Sequence, residues 1–249
     1  MILDDSYKKQ QARYEFAAKY CLGSTLDYSF SSIMSYHGSK ILLNNGAREI
    51  FTHDISNKNE ELCRRTFDFD KKIIYSILEQ NYSHKNNSVD CIIFSEIINE
   101  KDTSKNKLNS FNKILKQNGV LIISTLNKKN KSLIFDNNNN NNFSKDEFVD
   151  LLKTQFSEIE LFSQKVISKK EIMHTRLEWV FKLKIKLRFF LSTFLLKFDK
   201  KSNFYNKYMK NKTQIQTEKL NTSEYSIIPY NEKHNPLFFV AVCHKTHNL

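Results

Sequence analysis

The chain has no run of about 18 uncharged apolar residues, the length that a membrane-spanning helix requires. Its opening, Met1-Ile2-Leu3-Asp4-Asp5, lacks the basic start and apolar stretch of a secretory signal, so a cytoplasmic protein is expected. Cysteine is sparse and scattered: Cys21, Cys63, Cys91 and Cys243 form no C-x-x-C pair. Neither a disulfide framework nor a thiolate metal site is suggested, and reduced, mostly buried thiols are expected. Arginine is scarce beside lysine, which counts against nucleic acid as a partner, because arginine is the better reader of phosphate and guanine.

What is present is 249 residues, enough for one large α/β domain with a sizeable core, alone or with a small accessory segment. The formal charge of +12 is unevenly placed. Residues 1–160 carry 22 basic and 21 acidic side chains, whereas residues 161–249 carry 17 and 6. The excess belongs to the C-terminal third and says nothing about the rest. Abundant Lys, Asn, Ile, Phe and Tyr also fit a chain encoded by an AT-rich genome.

Hydrophobic patterning gives the order of elements. A helix is expected from about Asp5 to Tyr20, ended by Gly23, followed by a short strand at Thr25–Tyr28. A helix near Ser35–Asn44, closed by Asn45-Gly46, leads to a strand at Glu49–Asp54. Strand, helix, strand with short links is a βαβ unit, which implies parallel pairing. Further strands are read at Lys72–Tyr75, Val89–Phe94 and Val120–Thr125, the last after a helix from about Ser104 to Lys116 and the turn Asn118-Gly119. The last two are near-continuous apolar runs, as central strands covered on both faces should be. After the Asn137–Asn142 run, Ser144 and Glu147 form a capping box that opens a helix. Ile159–Phe162 and Leu237–Cys243 read as the final strands. The division expected is a core over 1–167, a basic aromatic insertion over 168–225, and 226–249 as the strand that completes the sheet.

With these elements placed, several segments resemble the type 11/23 group of class I S-adenosylmethionine-dependent methyltransferases. Arg13-Tyr14-Glu15-Phe16-Ala17 resembles that group's R-Y-x-F-A helix, and Leu26-Asp27 its V-L-D. His53-Asp54-Ile55-Ser56 resembles its D-I-S strand end, Asp90–Glu96 its D-V-I-x-S-x-E, and Leu115–Thr125 its L-K-P-G-G-x-L-I-I-S-T. The resemblance covers roughly residues 11–165 and the last strand. It implies a three-layer Rossmann-like fold with a mostly parallel seven-stranded sheet and an antiparallel last strand, and S-adenosyl-L-methionine as cofactor.

In such a fold the ligand lies across the carboxyl ends of the strands, where the strand order reverses. The resemblance implies that Asp54 accepts hydrogen bonds from the ribose hydroxyls and that Asp27 orients the following loop and the cofactor's ammonium. The bland alternatives are a strand-end carboxylate capping the next helix for Asp54 and a local turn carboxylate for Asp27. Where the group has G-x-G-x-G, this chain has Ser29-Phe30-Ser31-Ser32-Ile33. Ser29 and Ser31 can still donate hydrogen bonds, whereas the β-branched Ile33 resists the positive φ that a third glycine would allow. Ile55 and Ser95 fall on cofactor-side motif positions, and Glu79 is the candidate to read the adenine. Where the group often has E-x-x-E-H, the chain reads Glu96-Ile97-Ile98-Asn99-Glu100. Glu100, with Glu96, is the candidate general base, set against a reading of both as helix-start carboxylates. Cys243, His244 and His247 close the last strand, and no metal is expected there.

Within the insertion, Trp179–Phe198 interleaves Lys with Phe, Leu and Ile. Its alternation is strand-like, whereas the resemblance implies a helical insertion, so the element type stays open. Three uses fit: a lid over the acceptor pocket, an anionic membrane surface bound through residues 179–198, and, least well, nucleic acid. The function expected is methyl transfer to a small-molecule or carbohydrate-like acceptor, with surface-glycan synthesis as the best analogy. The rival is a catalytically silent scaffold that keeps the fold.

Overall fold

The computed structural model describes residues 3–28, 32–54, 72–77, 85–95, 101–133, 142–168, 173 and 222–246. The chain divides into two compact units, Met1–Val166 with Glu224–Leu249, and Ile167–Ser223. The larger is built from α1 (Leu3–Ala17), β1 (Ser24–Asp27), α2 (Ser32–Asn44), β2 (Glu49–Asp54), β3 (Ile73–Ile77) and β4 (Val89–Phe94). It continues with α3 (Lys101–Ile114), β5 (Leu115–Leu126), α4 (Lys145–Lys153), β6 (Glu158–Val166), β7 (Ile227–Pro229) and β8 (Pro236–His244). Among the described residues no helix is long and apolar enough to cross a membrane.

The strands form one sheet in the order β3-β2-β1-β4-β5-β8-β6-β7. β1 to β5 pair in parallel, and β8 runs antiparallel between β5 and β6. The sheet therefore has eight described strands where seven were expected. The additional one is β7, which pairs antiparallel with Phe162–Gln164 of β6. It is three residues long and ends in Pro229, a composition that an edge strand tolerates because one of its sides needs no donor.

The apolar runs are explained by two-sided burial. Ile92, Phe94, Leu121, Ile123 and Phe239 face one layer with Leu108 and Phe111 of α3 and Phe148 and Leu152 of α4. Cys91, Ile93, Ile122, Val240 and Val242 face the other with Tyr14 and Ala17 of α1 and Leu42 of α2. Successive side chains of a strand point to opposite faces, so each residue of these strands finds a core.

Boundaries differ from the sequence expectation where polar residues are buried or turns are absorbed into strands. β6 continues past Phe162 through Ser163 and Gln164, both fully buried. β5 begins at Leu115, and Asn118, with φ of 63°, lies in an irregular stretch between the pairings Val89↔Leu115 and Cys91↔Val120. Gly46, at φ of 109°, closes α2 in a conformation that L residues rarely adopt. The Ser144–Glu147 capping box is formed as expected. Cys21, Cys91 and Cys243 are buried free thiols. Cys63 lies outside the described residues.

Candidate functional site at the carboxyl edge of the sheet

The order of strands reverses between β1 and β4, since β2 and β3 lie on one side of β1 and β4 and β5 on the other. In a parallel sheet such a reversal leaves a crevice beyond the carboxyl ends. β1 ends there at Asp27, which pairs with Thr52 of β2 and Ile93 of β4. Asp54 and Ser95 each stand two positions beyond those partners, about 6.6 Å farther along their strands. The topology thus gathers Asp27, Asp54 and Ser95 at one edge.

Asp27 is fully buried, and Tyr14 Oη donates to its Oδ2 at 2.7 Å. Tyr14 reaches it because α2 gives way at Gly38: a Cβ there would lie 2.3 Å from ring carbons of Tyr14. A side chain at position 38 would push the ring, and the hydroxyl with it, away from the carboxylate. Farther up the same helix pair, Tyr7 Oη and His37 Nε2 are hydrogen-bonded at 2.7 Å. Arg13, beside Tyr14, turns to the other half of the sheet, where its Nε donates to Gln164 Oε1 at 2.8 Å and its guanidinium lies over the Phe238 ring. The Arg13-Tyr14 pair in the R-Y-x-F-A segment therefore fixes α1 across the sheet and sets the Asp27 carboxylate.

On the opposite face of β1, Tyr28, Phe94 and Phe111 meet edge-on, with ring centroids 5.3 to 5.6 Å apart. Lys107 Nζ lies 4.9 Å from the Tyr28 centroid and 5.5 Å from that of Phe94. Burial lowers the Lys107 pKa and raises that of the Tyr28 phenol. These side chains make an apolar wall topped by a half-desolvated amine. Tyr14 stands in the R-Y-x-F-A segment, but nothing in the sequence assigns its hydroxyl to Asp27, and no motif marks Lys107.

Of the residues singled out from the sequence, Asp27 and Ser95 are buried at this edge, and Asp54 is the last residue of β2, paired with Ile77. Ser29, Ser31, Ile33's side chain, Ile55, Glu79, Glu96 and Glu100 lie outside what is described. So do His247 and residues 179–198. Cys243 is buried in β8, and His244 Nε2 stands 3.2 Å from Glu160 Oε1. Asp90, the first residue of the D-V-I segment, is at the other end of its strand, where Lys116 Nζ contacts both its carboxylate oxygens at 2.9 and 2.8 Å.

Solved structures share the fold of this chain. A methyltransferase dependent on S-adenosylmethionine from Archaeoglobus fulgidus superposes with a TM-score of 0.54 at 12% identity, over 95% of this chain and 92% of that one. The fold is the class I methyltransferase fold. A possible histamine N-methyltransferase from Thermotoga maritima matches with a TM-score of 0.52 at 16% identity, covering 96% and 92% of the two chains. Phosphoethanolamine N-methyltransferase 2 of Haemonchus contortus, solved with S-adenosyl-L-methionine, matches with 0.51 at 14% identity over 95% of this chain and 52% of that one. No family model matches the sequence, and no curated protein does. At such identities the fold is what is shared.

Proposed function

We propose that this protein is an S-adenosyl-L-methionine-dependent methyltransferase acting on a small-molecule or carbohydrate-like acceptor. The observation that carries the reading is the reversal of strand order, with Asp27, Asp54 and Ser95 at the carboxyl ends of three adjacent strands. The residues fit the cofactor's chemistry. Asp27, held by Tyr14 and wholly buried, acts on the turn that follows it as a positioning residue. Asp54 is the acceptor for vicinal ribose hydroxyls, a charge-assisted contact. Ser29, Ser31, Ile55, Glu79 and Ser95 complete the cofactor side.

The cofactor supplies a methyl group activated on a sulfonium centre. The protein's part is to hold acceptor and methyl in a near-attack geometry and to exclude water, which needs few obligatory side chains. With a hydroxyl acceptor, Glu100, supported by Glu96, takes the departing proton. Surface-glycan synthesis and an anionic membrane surface bound through residues 179–198 extend the proposal by analogy. Co-sedimentation with anionic liposomes at low salt tests the membrane part, and its absence discards that part.

The deciding experiment is a thermal-shift titration of the full chain with S-adenosyl-L-methionine. A ligand at 100 times its dissociation constant stabilises the folded state by about 2.7 kcal/mol. A clear upward shift, lost in Asp54→Ala, is expected. Absence of any shift at millimolar cofactor would leave the scaffold reading standing instead.

A further inference from the structure

A second feature of the carboxyl edge lies two strands from Asp27. Beyond the end of β5, at the start of α4 and beside the loop that enters β8, is a cavity of about 390 Å³. Its lining includes Lys128, Lys129, Lys145, Tyr230, Glu232 and His234, three ammonium groups against one carboxylate. This volume suits a small molecule rather than a polymer or a peptide.

The walls are preorganised by buried amides. Asn127 and Asn130 are 5% and 4% exposed. Each donates through Nδ2 to the Pro236 carbonyl, at 2.9 and 2.8 Å, which ties the turn after β5 to the loop before β8. Asn127 Oδ1 also accepts from the Lys129 backbone N–H at 3.0 Å, fixing the stem of that side chain. At the start of α4 the capping box already engages the Ser144 and Glu147 N–H groups, so the side chains of the lining carry the site.

The lysines are held loosely. Lys128 lies 3.3 Å from Glu147, and Lys145 lies 3.5 Å from both Asp146 and Glu232 and 5.7 Å from the Tyr230 centroid, each ion pair having an exposed partner. Pairs of this kind contribute little and are readily exchanged for a stronger anion. Lys129 is exposed. His234 has a buried Nδ1 with no hydrogen-bond partner among the described residues. A polar nitrogen left so is costly, and a hydrogen-bonding ligand or a turn of the ring toward one relieves it. Tyr230 and Phe239, in contact with each other at 6.0 Å between centroids, supply apolar surface for a carbon skeleton.

We propose that this cavity binds the phosphomonoester group of a small polar metabolite and holds the anionic end of the methyl acceptor; the second half rests on the methyl-transfer reading. Lysine serves phosphate as a point charge, and three of them around one cavity suit a dianion better than a carboxylate.

Isothermal titration of the full chain in phosphate-free buffer tests it, with inorganic phosphate, glucose 6-phosphate and glucose as probes. Both phosphates are expected to bind and glucose not to. Lys129→Ala should weaken glucose 6-phosphate about tenfold, whereas Lys153→Ala, an equal charge change on the far end of α4, should leave it unaltered. No binding at millimolar phosphate, or equal weakening by Lys153→Ala, overturns the site. Binding to vesicles containing phosphatidic acid without binding of glucose 6-phosphate overturns it in favour of a lipid headgroup. The cofactor titration separates the two readings. Phosphate binding without a cofactor shift keeps the site and removes its role as acceptor end, and a cofactor shift without phosphate binding removes the site alone.

Discussion

The two edges of the one sheet carry similar side chains and use them in opposite ways. At the amino edge, charges close on one another: Ser24 Oγ donates to Glu49 at 2.5 Å and accepts from Arg48 at 2.6 Å, while Asp90 binds Lys116 and the Ser24 N–H. Lys245, just past β8, donates to the carbonyls of Asn112 and Leu115 at 2.6 and 2.7 Å. At the carboxyl edge, Asp27 accepts from Tyr14 of another layer, and the lysines past β5 hold long ion pairs, with Lys145 also over the Tyr230 ring. An aspartate near the start of a strand is thus closed into ion pairs here, and the proposed function gives those at strand ends to the cofactor. Parallel strands make the distinction general, because the links that cover the amino edge are short and those at the carboxyl edge carry the variable loops.

Substitutions that disturb the Asp27 setting should cost most. Gly38→Ala is expected to destabilise by about 3 kcal/mol, since its Cβ collides with the Tyr14 ring and the packed helices give little room. Urea denaturation measures this, and a loss near zero would mean that the α1–α2 contact is softer than it looks. Tyr14→Phe removes the buried donor to Asp27 and should cost about 2 kcal/mol. It should also weaken the cofactor-induced thermal shift, the readout that a purely structural bond would leave alone.

The amino edge should respond less, and chiefly to acid. Burial works against ionisation of Asp90, but the hydrogen bonds from Lys116 and Ser24 outweigh it and hold its pKa below the usual value. Glu49 is lowered too, first by its bond from Ser24. A carboxyl whose folded pKa is depressed stabilises the protein above its unfolded pKa, about 4, and loses that contribution as pH falls through the folded value. Asp90→Asn should therefore flatten the acid limb of the stability profile while costing about 1 kcal/mol at neutral pH, small because half-exposed pairs are screened. Arg48→Ala, with 67% of its side chain exposed, should change stability by about 0.5 kcal/mol or less.

Periodicity made much of the sheet legible. β4, β5 and β8 are buried on both faces and so appear as unbroken apolar runs. β6 appears too short for a physical reason: Gln164 is polar in sequence yet fully buried, because Arg13, the Lys9 carbonyl and the Tyr225 carbonyl surround its amide. β7 is three residues with a proline and carries no period to detect. The candidate site was legible as motif positions, which placed Asp27, Asp54 and Ser95 at one edge. Its fixing was not, since the Tyr14 contact to Asp27 depends on an absent side chain at Gly38, and no spacing rule reports an absence. Nor do the lysines past β5 stand out by sequence, for one wall of their cavity comes from the distant loop at 230–236.

β8 has a consequence for how the protein is made. Among the described strands it is the last in chain order and yet lies inside the sheet, between β5 and β6. While a nascent chain grows by about 5–20 residues per second, β5 and β6 must wait several seconds for the strand that joins them. Throughout that interval each presents an unpaired edge, and β5 an apolar one, to every other chain in reach. Residues 236–244 close both edges at once, because the one strand pairs with β5 on one side and β6 on the other.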